Sequence, residues 1–115
     1  MSERVIPLFV AWESTVKDLL MRTAKMPKNL RFTLTSRIDN LALDVFERLI
    51  EARYSRGNIE ALRAANIAIE KLRLLIRLCH ELGSMDHRGF EHVMRNLDEA
   101  GRMIGGWIKQ QNAER

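Results

Sequence analysis

The sequence predicts an all-α fold, an antiparallel up-down four-helix bundle that forms one domain over residues 1–115. Four long stretches carry apolar residues at helical spacing, and no stretch shows the alternation of a β-strand. The 115 residues include only two prolines and six glycines, and turn signals separate the four stretches. The chain is long enough for one compact domain, and 46% apolar with 30% charged residues is a globular composition.

The first helix is predicted over residues 8–25 and the second over residues 33–54. Pro7 suits the first turn of a helix, and the residue before Pro27 is disfavoured in the α-helical conformation. Thr33 is the predicted N-cap of the second helix. That helix carries two apolar lines, which are Leu34, Ile38, Leu41, Val45 and Leu49 on one face and Leu43, Phe46 and Ile50 on another.

The third helix is predicted over residues 59–82. Gly57 suits the end of the preceding helix, Asn58 the N-cap of this one, and Gly83 its C-terminal end. Its apolar residues step alternately by three and four, which is a heptad pattern that predicts a buried seam. The seam consists of Leu62, Ala65, Ile69, Leu72, Ile76 and Cys79.

The fourth helix is predicted over residues 85–111, with Ser84 as its N-cap and Asp86 in its first turn. Gly101 and Gly105 lie four residues apart on one face of this helix. A glycine in a helix interior costs about 0.5–1 kcal/mol relative to alanine. We therefore expect a neighbouring backbone to approach the helix closely at these two positions.

The sequence contains no pattern that indicates a reaction centre. His80, His87 and His92 lack the spacing of metal ligands, and paired cysteines and phosphate-binding glycine loops are missing from the sequence. Cys79 lies on the predicted buried seam, where a small apolar side chain is more common than a nucleophile. We expect a protein that is not an enzyme and has no metal, cofactor or small-molecule substrate.

The single cysteine cannot form an intramolecular disulfide, which favours a reducing compartment. No segment approaches the roughly 20 apolar residues that cross a bilayer, and the N-terminus lacks the pattern of a secretory signal. The expected location is the cytoplasm, without membrane association.

Charge supplies the first indication of function. Nineteen Lys and Arg against fifteen Asp and Glu give a net charge of +4, and the planar side chain of arginine, which dominates the cations, suits phosphate groups. Between Arg22 and Arg37 the chain carries five cations and no acid, a pattern that fits phosphate binding or a solvated linker. The five candidate residues are Arg22, Lys25, Lys28, Arg31 and Arg37.

Arg73 and Arg77 lie one turn apart in an apolar part of the third helix. Glu70 and Glu81 are spaced to pair with them, which would give an intrahelical ladder of ion pairs. The other interpretation is a pair of cations that faces an acidic partner or phosphates. The sequence alone does not choose between these two meanings.

The predicted helices carry more apolar surface than one core requires. Such surface usually marks an interaction, and closed homo-oligomers are the commonest way to bury it. Trp107 lies off the main stripe of the fourth helix, and we expect it in an oligomer interface with Leu43, Phe46 and Ile50. A protomer core thicker than expected is the alternative.

Three segments resemble the Avd (accessory variability determinant) family of diversity-generating retroelements. Residues 27–38 (PKNLRFTLTSRI), followed by residues 41–43 (LAL) and 49–52 (LIEA), resemble its second-helix signature. Residues 72–78 (LRLLIRL) resemble its arginine-bearing third helix, and residues 101–108 (GRMIGGWI) its C-terminal Gly-x-Trp-Ile ending. Together the segments cover most of the chain in the order of the family.

The resemblance implies a four-helix protomer that assembles into a homopentameric barrel and has no catalytic site. Such a barrel binds the reverse transcriptase of the element, the template RNA and the complementary DNA, and it supports mutagenic reverse transcription. Arg73 and Arg77 match the family's third-helix arginines and are implied to be functional. Two other functions stay open, a four-helix protein of the ribosomal RNA intervening-sequence type and a generic scaffold that binds protein helices.

Overall fold

The computed structural model describes residues 5–55 and 58–114, and four long helices account for most of them. They are α1 (Val5–Thr23), α2 (Ser36–Tyr54), α3 (Ile59–Glu81) and α4 (His87–Ala113). The described residues contain no β-strand, so the predicted all-α class is confirmed. Gly57, expected to end the second helix, lies outside the described residues.

The four helices form an elongated bundle that measures 47 × 24 × 19 Å. Each helix packs against the next one in the chain, and α1 also packs against α4, which closes the bundle. Trp12 of α1 is buried in the core, and its Nε1 donates a hydrogen bond to the Ala42 carbonyl of α2 at 3.0 Å. A buried indole N–H without such a partner would destabilise the fold, so this bond fixes the position of α1 on α2.

The predicted seam of α3 is confirmed, because all six of its residues are buried. On the second apolar line of α2, Phe46 is half-buried, whereas Leu43 and Ile50 are 42% and 45% exposed. The expectation that Trp107 lies off the core is wrong, since its side chain is only 5% exposed and belongs to the core. α4 therefore has a wider buried stripe than its main apolar line predicts, and Trp107 offers little surface to another chain.

The α1–α2 connection (residues 24–35) differs from its prediction. A 3₁₀ turn (Lys28–Leu30) and a π-helical turn (Arg31–Thr35) precede α2, which begins at Ser36. Thr33 is therefore not the N-cap of α2. It lies within the π-helical turn, and its hydroxyl donates a hydrogen bond to the Leu30 carbonyl at 3.3 Å. The 3₁₀ turn and the π-helical turn lead directly into α2. Residues at the start of α2 therefore follow helical backbone, and no side chain of the described residues caps that end.

The α3–α4 connection (residues 82–86) closes both of its helix ends. Gly83 has φ +79°, and Gly83 and Ser84 donate backbone hydrogen bonds to the His80 and Cys79 carbonyls at 3.1 and 2.9 Å. This pattern is a Schellman motif, and it confirms Gly83 as the residue that ends α3. The predicted cap of α4 is wrong, because Asp86, not Ser84, accepts the hydrogen bond from Gly89 N at 2.7 Å.

The two spaced glycines of α4 do not mark a close backbone approach. A Cβ on Gly101 would lie 3.4 Å from Nη2 of Arg73, and no described heavy atom outside the helix would lie within 4 Å of one on Gly105. The expectation is wrong because the neighbour at Gly101 is a long side chain rather than a backbone. None of the helices that the structure describes combines the length and the hydropathy of a membrane-spanning segment.

Candidate nucleic-acid interface

Four of the exposed cations that the structure describes lie close together in the sequence, on the α1–α2 connection and at the start of α2. Lys25, Lys28, Arg31 and Arg37 are all exposed, and we call these four residues the basic cluster. The stretch from residue 22 to residue 37 contains no acid. A cluster of this kind attracts phosphates, with an affinity that falls as salt concentration rises.

The connection that carries the basic cluster is anchored to the bundle. Met26 is buried in the core, and the Thr35 hydroxyl lies 3.8 Å from its sulfur. At the end of α1, the Thr23 hydroxyl donates to Asp39 Oδ1 of α2 at 2.7 Å. These contacts hold the connection at both of its ends, so its exposed side chains are presented from a fixed backbone.

Phe32 is the residue of this region that sequence reasoning missed. Its side chain is 87% exposed, the highest value among the large apolar side chains that the structure describes. Leu30 and Leu34, two positions away on either side, are half-buried. The spacing of Leu30 and Leu34 could have predicted the exposure of Phe32, because side chains two positions apart in a helical turn lie on opposite faces.

Arg22 was expected in the same site, but its guanidinium forms an ion pair within the protomer. Its Nε lies 2.8 Å from Asp18 Oδ2, and both side chains are about 30% exposed. A Cβ on Gly89 of α4 would lie within 3.0 Å of the Arg22 guanidinium, so glycine makes room for it there. Arg22 therefore links the end of α1 to the start of α4.

Arg73 is likewise paired inside the protomer. Its Nη1 lies 2.6 Å from Asp98 Oδ1 of α4, and its Nε lies 3.3 Å from Glu70 Oε1 of α3. The Arg73 side chain is 28% exposed, and its Nη2 lies next to Gly101 of α4. Arg73 therefore links α3 to α4. The pair with Glu70 is the intrahelical contact that the spacing predicted. A role of Arg73 in binding an outside partner stays a prediction.

Arg77, by contrast, is exposed on the same helix. Among residues 5–55 and 58–114, it has no carboxylate at ion-pair distance, so the expected contact with Glu81 does not form. The two arginines that appear equivalent in sequence are therefore different in the fold. Arg77 is the more exposed of the two.

A groove of about 380 Å³ runs between α2 and α3 next to the basic cluster. Arg37 of the cluster and Lys71 of α3 stand over an apolar floor. The floor is formed by Leu41, Leu74 and Leu75. Asn40 and the carboxylate of Asp44 complete the lining, so the groove carries charges of both signs next to apolar side chains.

Two exposed apolar faces lie on different sides of the protomer. On the α1–α2 side, Phe9 and Phe46 pack with their ring centroids 6.4 Å apart, and Arg53 stands 5.6 Å over the Phe9 ring. The exposed residues of this face are Ile6, Val10, Leu43 and Ile50. The second face belongs to α3 and consists of Ile67, Leu74 and Leu78. Leu43, Phe46 and Ile50 thus form one face, whereas Trp107 is absent from it.

The cysteine and two of the histidines, which are the side chains with catalytic or metal-binding potential, contact neighbouring side chains of the bundle. Burial raises the pKa of the Cys79 thiol, and a hydrogen bond with Ser84 offsets part of that rise, so the reactive thiolate is disfavoured. His80 stacks on Phe90 at 4.4 Å, and His87 Nε2 lies 2.9 Å from Glu91. The described part of the chain contains no group of three or more His, Cys, Asp or Glu side chains arranged to hold a metal ion.

Comparison with known proteins leads to one family. No curated protein matches the chain. The model of the bAvd-like family matches residues 11–111, which include α2 and α3 completely, most of α1 and α4, the basic cluster and both α3 arginines. The resemblance seen in the helix signatures is thereby confirmed, and the chain belongs to the bAvd-like family of Avd (accessory variability determinant) accessory proteins.

Proposed function

We propose that this protein forms a ring of identical subunits, most simply a pentamer, that binds template RNA and a reverse transcriptase during mutagenic reverse transcription. The observation that carries the proposal is the basic cluster, an exposed set of cations that an anchored connection presents without an intervening acid. Membership of the bAvd-like family supports the accessory role. The polymerase partner supplies the chemistry in this scheme.

The contrast between paired and exposed cations selects the residues that contact RNA. Arg22 and Arg73 already neutralise carboxylates of the same protomer. Lys25, Lys28 and Arg31 are exposed and can release counterions from a phosphate backbone. We therefore assign phosphate binding to the basic cluster and to Arg77, and a structural role to Arg22 and Arg73.

The two apolar faces support assembly into a ring. When one face of a protomer packs on a different face of the next copy, the contact is heterologous, and repetition closes a ring if the rotation allows it. The α1–α2 face and the α3 face provide two such different surfaces. A pentamer would raise the net charge from +4 to about +20, which strengthens the attraction of a polyanion.

The reverse transcriptase is proposed to contact the groove between α2 and α3, which shares Leu74 with the α3 face and so lies at the edge of the contact between subunits. The groove between α2 and α3 is lined by Arg37, Lys71 and Asp44 beside apolar side chains, which suits a protein surface that carries charged and apolar groups. Binding of both partners to one ring would keep template and polymerase close together. The gain comes from effective concentration rather than from any one strong contact.

The test measures RNA binding over a salt series for the wild type and for the triple variant Lys25→Ala/Lys28→Ala/Arg31→Ala. The triple variant should bind more weakly, and its slope of log affinity against log salt should be shallower by about 2, the value for three phosphate contacts with a single strand. The matched control is Arg63→Ala/Arg95→Ala/Lys109→Ala, which removes the same charge from other exposed positions outside the basic cluster. The control should keep the wild-type slope.

Equal losses in the two triple variants would show a diffuse charge effect and would overturn the assignment to the basic cluster. Absence of RNA binding in the wild type would overturn the proposed function. Light scattering on the same preparations tests the ring, because a monomer at micromolar concentration contradicts it. Arg73→Ala and Arg77→Ala are compared separately; only Arg77→Ala should reduce RNA affinity without a loss of stability.

A further inference from the structure

We propose that Phe32 is a stacking platform for an unpaired base, so that the α1–α2 connection binds single-stranded nucleic acid in preference to duplex. This inference rests on the proposed function and deepens it, since it names the form of nucleic acid that the site takes. It is carried by the juxtaposition of one exposed aromatic ring and the basic cluster on a single anchored segment.

The exposure of Phe32 has no explanation within the protomer. The same connection buries Met26 and half-buries Leu30 and Leu34, so its other large apolar side chains pack against the bundle. Phe32 is the large apolar side chain of the connection that is turned outward, with 87% of its surface open to solvent. Burying a phenylalanine stabilises a protein by about 1.5–3 kcal/mol, so leaving it exposed gives up a gain that an outside contact can recover.

The surroundings of Phe32 match the chemistry of a nucleotide. A nucleotide offers an aromatic base and an anionic phosphate, and proteins that bind single strands combine stacking aromatics with cations along the backbone. Arg31 precedes Phe32 within the π-helical turn, and Lys28 lies in the adjoining 3₁₀ turn. The ring and the charges therefore lie within about one helical turn of each other.

Stacking on Phe32 distinguishes single strands from duplex. In a duplex the base faces are covered by neighbouring base pairs, so a side chain reaches them only after unstacking. An unpaired base offers its face directly, and every base has one, so the preference is for strandedness rather than sequence. A phenylalanine ring also lacks hydrogen-bonding groups that could read base edges.

The composition of the connection favours nucleic acid over a lipid surface. Membrane-binding segments bury a continuous apolar face, which here would have to include several exposed apolar side chains. The exposed neighbours of Phe32 are instead Lys28, Asn29, Arg31 and Thr33. One ring among polar and cationic groups suits a single base better than an acyl layer.

The experiment uses the full-length protein with two probes, fluorescein-labelled oligo(U) and a blunt RNA duplex of equal length. Phe32→Leu keeps an apolar side chain but removes the aromatic face. It should weaken oligo(U) binding by about 5- to 150-fold, the range for one stacked base, and leave duplex binding unchanged. Phe32→Trp should retain oligo(U) affinity, and emission from its exposed indole should be quenched when oligo(U) binds.

A matched control is Tyr54→Leu, which removes an exposed aromatic ring at the C-terminal end of α2, remote from the basic cluster. It should leave both affinities unchanged. Thermal unfolding by circular dichroism should show the same midpoint for Phe32→Leu and the wild type, because an exposed ring contributes little to the core.

Each outcome separates this inference from the proposed function. Failure of the wild type to bind either probe overturns both. Salt-dependent binding of both probes that is the same in Phe32→Leu, or reduced equally for both, overturns the stacking role and leaves the basic cluster as the RNA site. Unchanged RNA binding by Phe32→Leu together with lost binding to anionic vesicles or to the polymerase assigns Phe32 to that partner and also overturns the inference.

Discussion

The two connections at one end of the bundle both reverse the direction of the chain, but they differ in length and in the side chains they expose. The α1–α2 connection and the α3–α4 connection each join two antiparallel helices, and contacts of Arg22 and Asp18 with α4 bring them to the same end. The α3–α4 connection takes five residues, a Schellman motif and one capping carboxylate. The α1–α2 connection takes twelve residues and presents cations and an aromatic ring to solvent.

The difference in length shows how many residues the α1–α2 connection has beyond those that a chain reversal requires. The short connection shows that five residues are enough to reverse the chain here with the helix ends satisfied by local hydrogen bonds. The additional residues of the α1–α2 connection are therefore available for other purposes. Loops that exceed the length needed for connection commonly carry binding residues, which agrees with the basic cluster found there.

The largest expected effect comes from the anchor of the longer connection. Met26→Ala should lower the free energy of unfolding by about 2–3 kcal/mol, because it removes a buried side chain and leaves a cavity at the end of the core. Met21→Ala, at an exposed position of α1, is the matched control and should change stability by less than about 0.5 kcal/mol. Urea unfolding followed by circular dichroism measures both. Equal effects would show that the connection is not held by the core.

An intermediate effect is expected at the turn that ends α3. Gly83→Ala should destabilise the protein by about 1–2 kcal/mol, because φ +79° is unfavourable for a residue with a Cβ. Gly105→Ala lies in regular helix with open space around its Cβ position, so it should stabilise by about 0.5–1 kcal/mol. Opposite signs in chemical unfolding support the role of Gly83; a stabilising Gly83→Ala would contradict it.

The smallest effect concerns the two helix starts. Asp86→Ala should cost about 1 kcal/mol, since it removes the acceptor for the Gly89 N–H at the start of α4. Thr35→Ala at the start of α2 should cost less, because the Thr35 side chain makes no capping hydrogen bond to the described residues of that turn. Thermal melts of the two variants compare them directly. An equal loss would mean that α2 depends on a local cap as α4 does.

Regular periodicity made the helical part of this fold predictable. The alternating steps of α3 placed all six seam residues in the core, and Asn58 caps α3 as expected, with Ala61 N 3.0 Å from its side-chain oxygen. These features depend on residues a few positions apart, which the sequence displays directly. The basic cluster was predicted in the same way, because the sequence shows directly a run of cations without an acid, and its role in binding stays a prediction.

The sequence was least informative where residues on different helices meet. Trp107 was predicted to face outward, but neighbouring helices extend the core to cover it. Arg22 and Arg73 were both placed in the candidate site, and their roles there stay predictions. Arg22 pairs with Asp18 four positions earlier on its own helix, whereas Arg73 pairs with Asp98, which is 25 positions away on α4. Local spacing does not reveal a partner on another helix.

The sequence by itself determined four amphipathic helices, their order and an excess of arginine, because each of these depends on local spacing and composition. Only the tertiary structure decided which arginines are neutralised within the protomer, which apolar residues stay exposed and why Phe32 stands outside the core. The physical reason is that ion pairing and burial depend on distances across helices. Those distances are set when the four apolar stripes pack together, and no single segment contains them.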